Sequence, residues 1–557
     1  MQSFDSSNPS QWWKTIKRIS GYKASNCTVY NNLCFNNEPV NASNLSETIN
    51  NFLVSISDGI PCLDPSILDC MRGSLGPVVP DDFIIPEYAV YRSLCNLKLN
   101  KATGPDGLSN RLLKSLADQF CGPLCSIINC SIRTGFVPSQ WKIACVTPIP
   151  KIIPPINIEN HLRPISITSS LSKIAESFIC RFFDDTFRNH CDPNQFGGVK
   201  GKSTTLALIK FSHYLFKCLD NRDKFVRILF VDFVKAFDLI NHNILFSKME
   251  NIQLPPHIKL WFLSFLYNRS QFVNIESSFS SVKTVNAGTP QGTLSGPVNF
   301  NLLINDLQFF LEYLKYVDDT NYVSESDDPL DDSFQNAADY LSSWCTENET
   351  KLNVDKTKEM LLYFGKKYPS QSIPNVCING MAVERVRSFK LLGVIFNDTL
   401  TWTEHVIYLI SKASKRIFSI VQLVKSGVCP SDVIKIYCSI IRSVLEYSCQ
   451  VWHPGLTSQQ SKDIEMIQKR CLRIIFPNMS YNDALTASGL ERLSERRERM
   501  TRELFQEIKK ENHVLHSLLQ RRKVDRILKN NYDFNIPRLK TFRSRRDFIN
   551  YCLLKRL

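Results

Sequence analysis

The sequence predicts an α+β fold, and three observations carry that prediction. Two short apolar runs, "VRILFVDF" from Val226 and "FLEYLKYVDDTNYV" from Phe310, have the length and the β-branched and aromatic content of buried strands. Between them stands a loop of Gly and Pro followed by a helical pattern. In the last third, "VIYLISKASKRIFSIVQLV" and "VIKIYCSIIRSVLEYSCQVW" place apolar residues at helical spacing with Lys or Arg among them, so that third reads as mainly α.

The elements follow in order. Residues 1–80 are rich in Asn and Ser, with aromatic and basic residues gathered at "WWKTIKR", and read as a linker or arm. An ordered region begins at "PEYAVYRSLCNLKLNKATGPDGLS", where Val90, Leu94 and Leu97 recur at helical spacing and stop at the turn Gly104-Pro105-Asp106-Gly107. The run from Val226 reads as a strand that ends near Asp232 and feeds a helix. In "NAGTPQGTLSGPVNFNLLINDL" the loop gives way to a helix through Phe300, Leu303 and Leu307. Apolar and aromatic residues on both sides of Asp318-Asp319 suit two short strands joined by a tight turn. Later, "FKLLGVIFNDTLTWTEHV" reads as a strand, a turn and a helix start.

At 557 residues the chain exceeds the roughly 250–300 at which a single core stops growing, so several subdomains are expected. Hydrophobic residues at 43% and charged residues at 22% exclude a largely disordered protein. Lys and Arg number 67 against 53 Asp and Glu, a net +14, which favours a polyanionic partner. No apolar stretch reaches the ~18–20 residues of a membrane span, and the first residues lack a signal peptide's apolar core. The expectation is a soluble intracellular protein, in nucleus, cytoplasm or both, with no membrane partner.

Nineteen cysteines are scattered without a repeated C-x-x-C pair, so Cys121 with Cys125, and Cys449 beside His453, read as buried reduced thiols rather than metal ligands. The stretch "GGVKGKSTT" approaches a P-loop but leaves three residues between Gly197 and Gly201 where four are needed.

Asp232, Asp318 and Asp319 end two separate strand candidates, and strands adjacent in one sheet would gather these three carboxylates. Unpaired carboxylates at one place repel and raise each other's pKa values, so such a cluster implies a bound cation. Oxygen ligands suit Mg²⁺, with Mn²⁺ as an alternative, and the arrangement serves phosphoryl transfer.

Together, "FVDFVKAFD", "GTPQGTLSGP", "YVDDT" and "LNVDKTKEM" resemble the reverse transcriptase of non-LTR retrotransposons of the jockey-like and CR1-like group. Upstream "NKATGPDGLS", "VTPIPK", "LRPISITSSLSKIAE" and "QFGGVKGKSTTLAL" extend the resemblance, as do "LLGVIFNDTLTW", "LEYSCQVWHPG" and "IQKRCLRIIF" downstream, over about residues 85–480. The resemblance implies a right-hand polymerase of fingers, palm and thumb. It divides the chain into an arm (1–80), fingers and the start of the palm (81–225), a palm with an antiparallel sheet and the carboxylates (226–365), a thumb-like region (366–478) and a basic α-helical end (479–557).

The resemblance also implies roles for matching positions. Asp232, Asp318 and Asp319 would be catalytic metal ligands, with Asp319 supporting the other two. Lys151 and Arg163 would meet the incoming triphosphate, where cations stabilise charge on the leaving group. Phe233, Ala236, Phe237, Gln291 and Gly292 would line the nucleotide site, Phe237 as the steric gate that rejects a ribose 2′-hydroxyl. Lys356 would protonate pyrophosphate, with Lys358 as its competitor, and Lys200 and Lys202 would contact the template backbone. Its partners would be an RNA template, a DNA primer or target, and dNTPs.

Three departures stand out: Ser295 and Asn299 occupy positions usually apolar in this family, and Val317 one where Ala is common. Neither nuclease that usually accompanies such polymerases is recognisable, so the chain is expected to be a fragment, or to rely on a separate or lost endonuclease. The basic end, with "QRRKVDRILK" and "RLKTFRSRRDF", reads either as a solvated helical face or as a nucleic-acid contact. A catalytically silent RNA-binding relic is the alternative function, disfavoured because all three carboxylates are present. A group II intron-type or telomerase-type enzyme is disfavoured by "DFVKAFD" and "LLGVIFNDTLTW".

Overall fold

A computed structural model of the chain describes residues 9–19, 30, 33–76, 79–188, 190–221, 224–365, 373–521 and 533–557. Helices and sheets alternate through the first four hundred residues and helices dominate the rest, so the α+β class stands.

Strands β1 (Ile143–Pro150) and β2 (Leu162–Ile167) form an antiparallel pair. Strand β3 (Phe225–Val231) is the middle of a separate, central sheet. Strand β4 (Arg269–Ile275) runs parallel to β1 and joins the first sheet, so that sheet crosses the expected division at 225/226. The central sheet is completed by β5 (Glu312–Tyr316), β6 (Asp319–Ser326), β7 (Lys358–Tyr363) and β8 (Glu384–Arg385), in the order β8-β7-β3-β6-β5.

Alternation along β3 decides how the layers form, because successive side chains leave a strand on opposite faces. Val226, Ile228 and Phe230 enter a core with helix Thr204–Cys218 and the C-terminal helices. Leu229 and Val231 enter another core with helices His242–Glu250, Ser295–Leu303 and Ser333–Glu347. Covered on both faces, β3 reads as the continuous apolar run seen in the sequence.

The strand does not feed a helix directly. Residues 233–239 form turns, Lys235 takes a left-handed φ of 45°, and the next helix starts only at His242, capped by Asn241. Long-range bonds override the local helical preference here: Thr289 N–H donates to Phe237 C=O and Gly288 N–H to Ile240 C=O, both at 2.8 Å. Likewise Leu307 lies past the end of helix Ser295–Leu303.

The described part of residues 1–80 is folded rather than a free arm. Leu45 and Ile49 of helix Leu45–Ser55 bury with Val273 and Ile275 of β4, and Asn50 Nδ2 donates to Ser281 C=O at 2.8 Å. Helix Pro9–Ile19, which holds "WWKTIKR", sends Ile16, Trp12 and Trp13 to the C-terminal core. Apolar residues at helical spacing were present in both stretches but were diluted by Asn and Ser.

Helices Thr403–Lys425, Ser458–Ile475 and Leu493–Ile508 share one core with the last helix, Phe548–Lys555, so no packing break falls at 478/479. Residues 522–529 of "QRRKVDRILK" lie outside the described residues. The segment "RLKTFRSRRDF" is docked on helix Thr204–Cys218 and its end. The Asp220 carboxylate accepts the N–H groups of Lys540 and Thr541 at 2.9 Å each, and Arg543 stacks on Phe364 at 3.3 Å. Among the described cysteines all are free, with Cys121 and Cys449 buried and Cys125 half-buried. Among the described residues no helix is long and apolar enough to cross a membrane.

His213 Nδ1 meets the fully buried Asp547 carboxylate at 2.8 Å and ties the last helix to the central layer. Burial lowers the imidazole pKa, but the charge and hydrogen bond of Asp547 outweigh it and leave it above 6.5. A raised folded value stabilises fully below the unfolded pKa, near pH 6.5, and is lost as pH rises through the folded value. Urea unfolding of the parent and His213→Gln should therefore differ most at the acid end of a pH series and converge toward alkaline pH.

Candidate active site

The hairpin β5–β6 delivers the paired carboxylates. Tyr316 pairs with Asp319, leaving Val317 and Asp318 as a two-residue turn with Val317 in the left-handed region at φ 57°. Strand β6 also pairs with β3, Thr320 opposite Val231, so one step further Asp319 stands opposite Asp232. The expected meeting of the two strand ends is found.

Asp232 is held through its backbone: its N–H donates to Thr357 Oγ1 at 3.2 Å, and its C=O accepts Asn353 N–H at 2.8 Å. Burial raises its carboxyl, offset by Lys356, Asn353 and Lys151. Burial also raises Asp318, with the charge of Asp232 adding and Arg163 opposing. Asp319, at the rim, is pushed up to about 6 by desolvation, then by Asp318 and Asp232. The three feel one another electrostatically, and desolvation leads each shift.

Beside them opens a cleft of about 660 Å³. Its walls bring together Lys151, Arg163, Asp232, Phe233, Ala236, Phe237, Gln291, Gly292, Asp318 and Lys356, ten of the residues singled out from sequence. Asp319 is not among the lining residues. Lys358 pairs instead with Glu384 at 2.6 Å, so that of these two lysines Lys356 is the one that lines the cleft. Lys200 borders a small separate cavity with Asp184 and Arg188. Lys202 donates to the carbonyls of Pro193 and Gln195 at 2.8 and 2.7 Å, so its ammonium is engaged by the chain itself.

The Gln291 loop is fixed from two sides. Gln291 C=O accepts Ser166 N–H of β2 at 2.7 Å, and an added Cβ on Gly292, φ 114°, would approach Ser166 C=O to 3.0 Å. From the other side, Gln291 Nε2 donates to Asp238 Oδ1 at 3.3 Å, and His242 Nε2 meets Gly288 C=O at 2.7 Å. The Phe237 ring lies 5.3 Å from that of Phe300, tilted and half-buried.

The two polar departures stand in the helix Ser295–Leu303 that follows this loop. Ser295, fully buried, directs both its N–H and its hydroxyl to Glu176 Oε1, at 2.7 and 2.6 Å. Asn299 Nδ2 reaches Thr289 Oγ1 at 3.4 Å. Ser295 is thus a buried polar group that is fully bonded, whereas the Asn299 Oδ1 is buried without a partner among the described residues.

Sequence reasoning missed Asp238, Glu176 and the wall built by Phe52, Leu53 and Ile56, where the Lys235 ammonium lies 4.2 Å from the Phe52 ring. Asp238 stands inside the quoted "FVDFVKAFD", so its acidity in a lysine-bearing cleft was the available signal. Glu176 and Phe52 act across more than a hundred residues and leave no local pattern.

Among the described residues, no three His, Cys, Asp or Glu side chains close into a metal cage. The donors at the cleft are carboxylate oxygens with cations for phosphate nearby, which fits Mg²⁺, an ion that takes one or two carboxylates and completes its shell with water and substrate phosphates.

The cleft thus sets carboxylates from a hairpin and its facing strand beside lysine and arginine side chains. Residues 150–396 match the family model described as reverse transcriptase (RNA-dependent DNA polymerase), and the chain thus carries a reverse transcriptase domain. It is 26% identical over 402 residues to the probable RNA-directed DNA polymerase from transposon BS of Drosophila melanogaster. It is 27% identical over 399 residues to the RNA-directed DNA polymerase from mobile element jockey of the same species. These matches cover 69% of this chain but only 44% and 43% of the two relatives, so the chain spans under half the length of the curated relatives it matches.

Proposed function

We propose that the chain is an RNA-directed DNA polymerase of a non-LTR retrotransposon, extending a primer on an RNA template with dNTPs. The observation that carries this reading is the convergence on one cleft of Asp232 and Asp318 with Lys151, Arg163, Gln291 and Lys356. In this reading the two sheets are fingers and palm and the helical region following residue 400 supplies the thumb.

Asp232 and Asp318, with Asp319 beside them, would hold Mg²⁺, which when bound activates the primer 3′-hydroxyl and steadies the leaving pyrophosphate. Lys151 and Arg163 bind the triphosphate and favour the negative charge that grows on it during transfer. Phe237 and Gln291 hold the sugar and exclude a 2′-hydroxyl, and Lys356 hands a proton to the departing pyrophosphate. The net basic charge supports retention of the template, and retention should weaken with salt.

The test is primer extension on an RNA template with dNTPs and Mg²⁺, beside an Asp318→Ala, Asp319→Ala variant. Extension by the parent alone ties polymerase activity to the carboxylates. Template binding by both proteins with extension by neither replaces this reading with a silent RNA-binding relic.

A further inference from the structure

The segment Asp192–Gly198, which runs into the P-loop look-alike at Gly197, lies against the turn that carries Asp318. Phe196 N–H donates to Lys315 C=O at 2.8 Å and Lys315 N–H to Asn194 C=O at 2.9 Å, so the segment runs alongside β5 as an extra edge. Below this contact the fully buried Lys315 ammonium is held by Asp192 at 2.6 Å and by the carbonyls of Ile304 and Leu307 at 2.7 and 2.9 Å. The brace is therefore anchored to the core behind the hairpin.

Two contacts touch the turn itself. Gln195, 2% exposed, accepts the N–H of Val317 on Oε1 at 2.9 Å and that of Gly197 on the same oxygen at 2.9 Å. A Cβ on Gly197 would lie 2.5 Å from Val317 N and 2.7 Å from Tyr316 C, so only glycine permits the approach. Gly197 C=O in turn accepts Asn301 Nδ2 at 2.9 Å, linking the brace to the helix that follows the Gln291 loop.

Val317 is the residue that needs such support. A β-branched residue at φ 57° is a genuine outlier that persists only where its surroundings over-determine it. Its peptide immediately precedes Asp318, so relaxation of Val317 would rotate the carboxylate away from Asp232.

We infer that Gln195 is a positioning residue of the polymerase: its side-chain carbonyl locks the left-handed Val317 peptide and thereby fixes Asp318 against Asp232. This rests on the polymerase reading above. Gln195 meets no substrate in this role, and its effect passes through the Val317 amide.

Gln195→Met keeps the volume and removes the acceptor, and Gly197→Ala pushes on the same peptide from its other side. Both are compared with the parent in primer extension, in template binding and thermal melting, and in hydrogen exchange of residues 316–319 in metal-free protein. The expected result for Gln195→Met is a kcat lower by about tenfold or more, with dNTP KM and template Kd within about threefold, since displacements near 1 Å cost up to ~100-fold. Exchange in the turn should accelerate while the melting curve is retained, and Gly197→Ala should reproduce the kcat loss. Parental kcat in both variants, or a kcat loss that only follows a lowered melting temperature with unchanged exchange in the turn, overturns the inference. If the parent itself extends no primer, the polymerase reading falls first.

Discussion

Asp232→Asn should abolish primer extension, with a loss on the order of a thousandfold or more, while the protein stays folded and keeps its template affinity. The isosteric amide retains the backbone bonds that fix this residue, to Thr357 Oγ1 and from Asn353 N–H. What it removes is a charge that raises the pKa of both Asp318 and Asp319. Stability should therefore be unchanged or slightly higher, because clustered carboxylates destabilise the site that needs them. Steady-state extension beside a thermal melt reads both effects. Equal falls in activity and melting temperature would mean that Asp232 is structural.

On the proposed reading, Phe237→Ala should relax sugar selection, lowering the kcat/KM preference for dCTP over CTP by on the order of a hundredfold. The residue lines the cleft, its backbone carbonyl is pinned by Thr289 N–H, and its ring packs against Phe300. Single-nucleotide incorporation with each triphosphate measures the ratio. Unchanged selectivity with a lower melting temperature would make Phe237 a packing residue only.

How much of this was legible in the sequence depends on how far each feature reaches along the chain. The strand ends at Asp232 and Asp318 were readable because apolar and aromatic residues run up to carboxylates, and the pairing of β3 with β6 brings them together as expected. Helices of the last third were readable from period alone. The turn 233–239 was misread because Val234, Ala236 and Phe237 suit a helix locally, while contacts with Gly288 and Thr289 decide the conformation. The partners of Ser295, Gln291 and Val317 stand 119, 53 and 122 residues away, beyond the reach of any local periodicity.

Helix Leu45–Ser55 changes what counts as the smallest working piece of this molecule. The family model's match, 150–396, excludes Ile49, Phe52, Leu53 and Ile56, which wall the cleft, the first three also packing on β4. It also excludes the C-terminal helices that cover one face of the central sheet. A protein trimmed to residues 150–396 would present raw apolar surface on two sides and an open cleft, and would be expected to aggregate. The segment matched by the family model is narrower than the unit that folds.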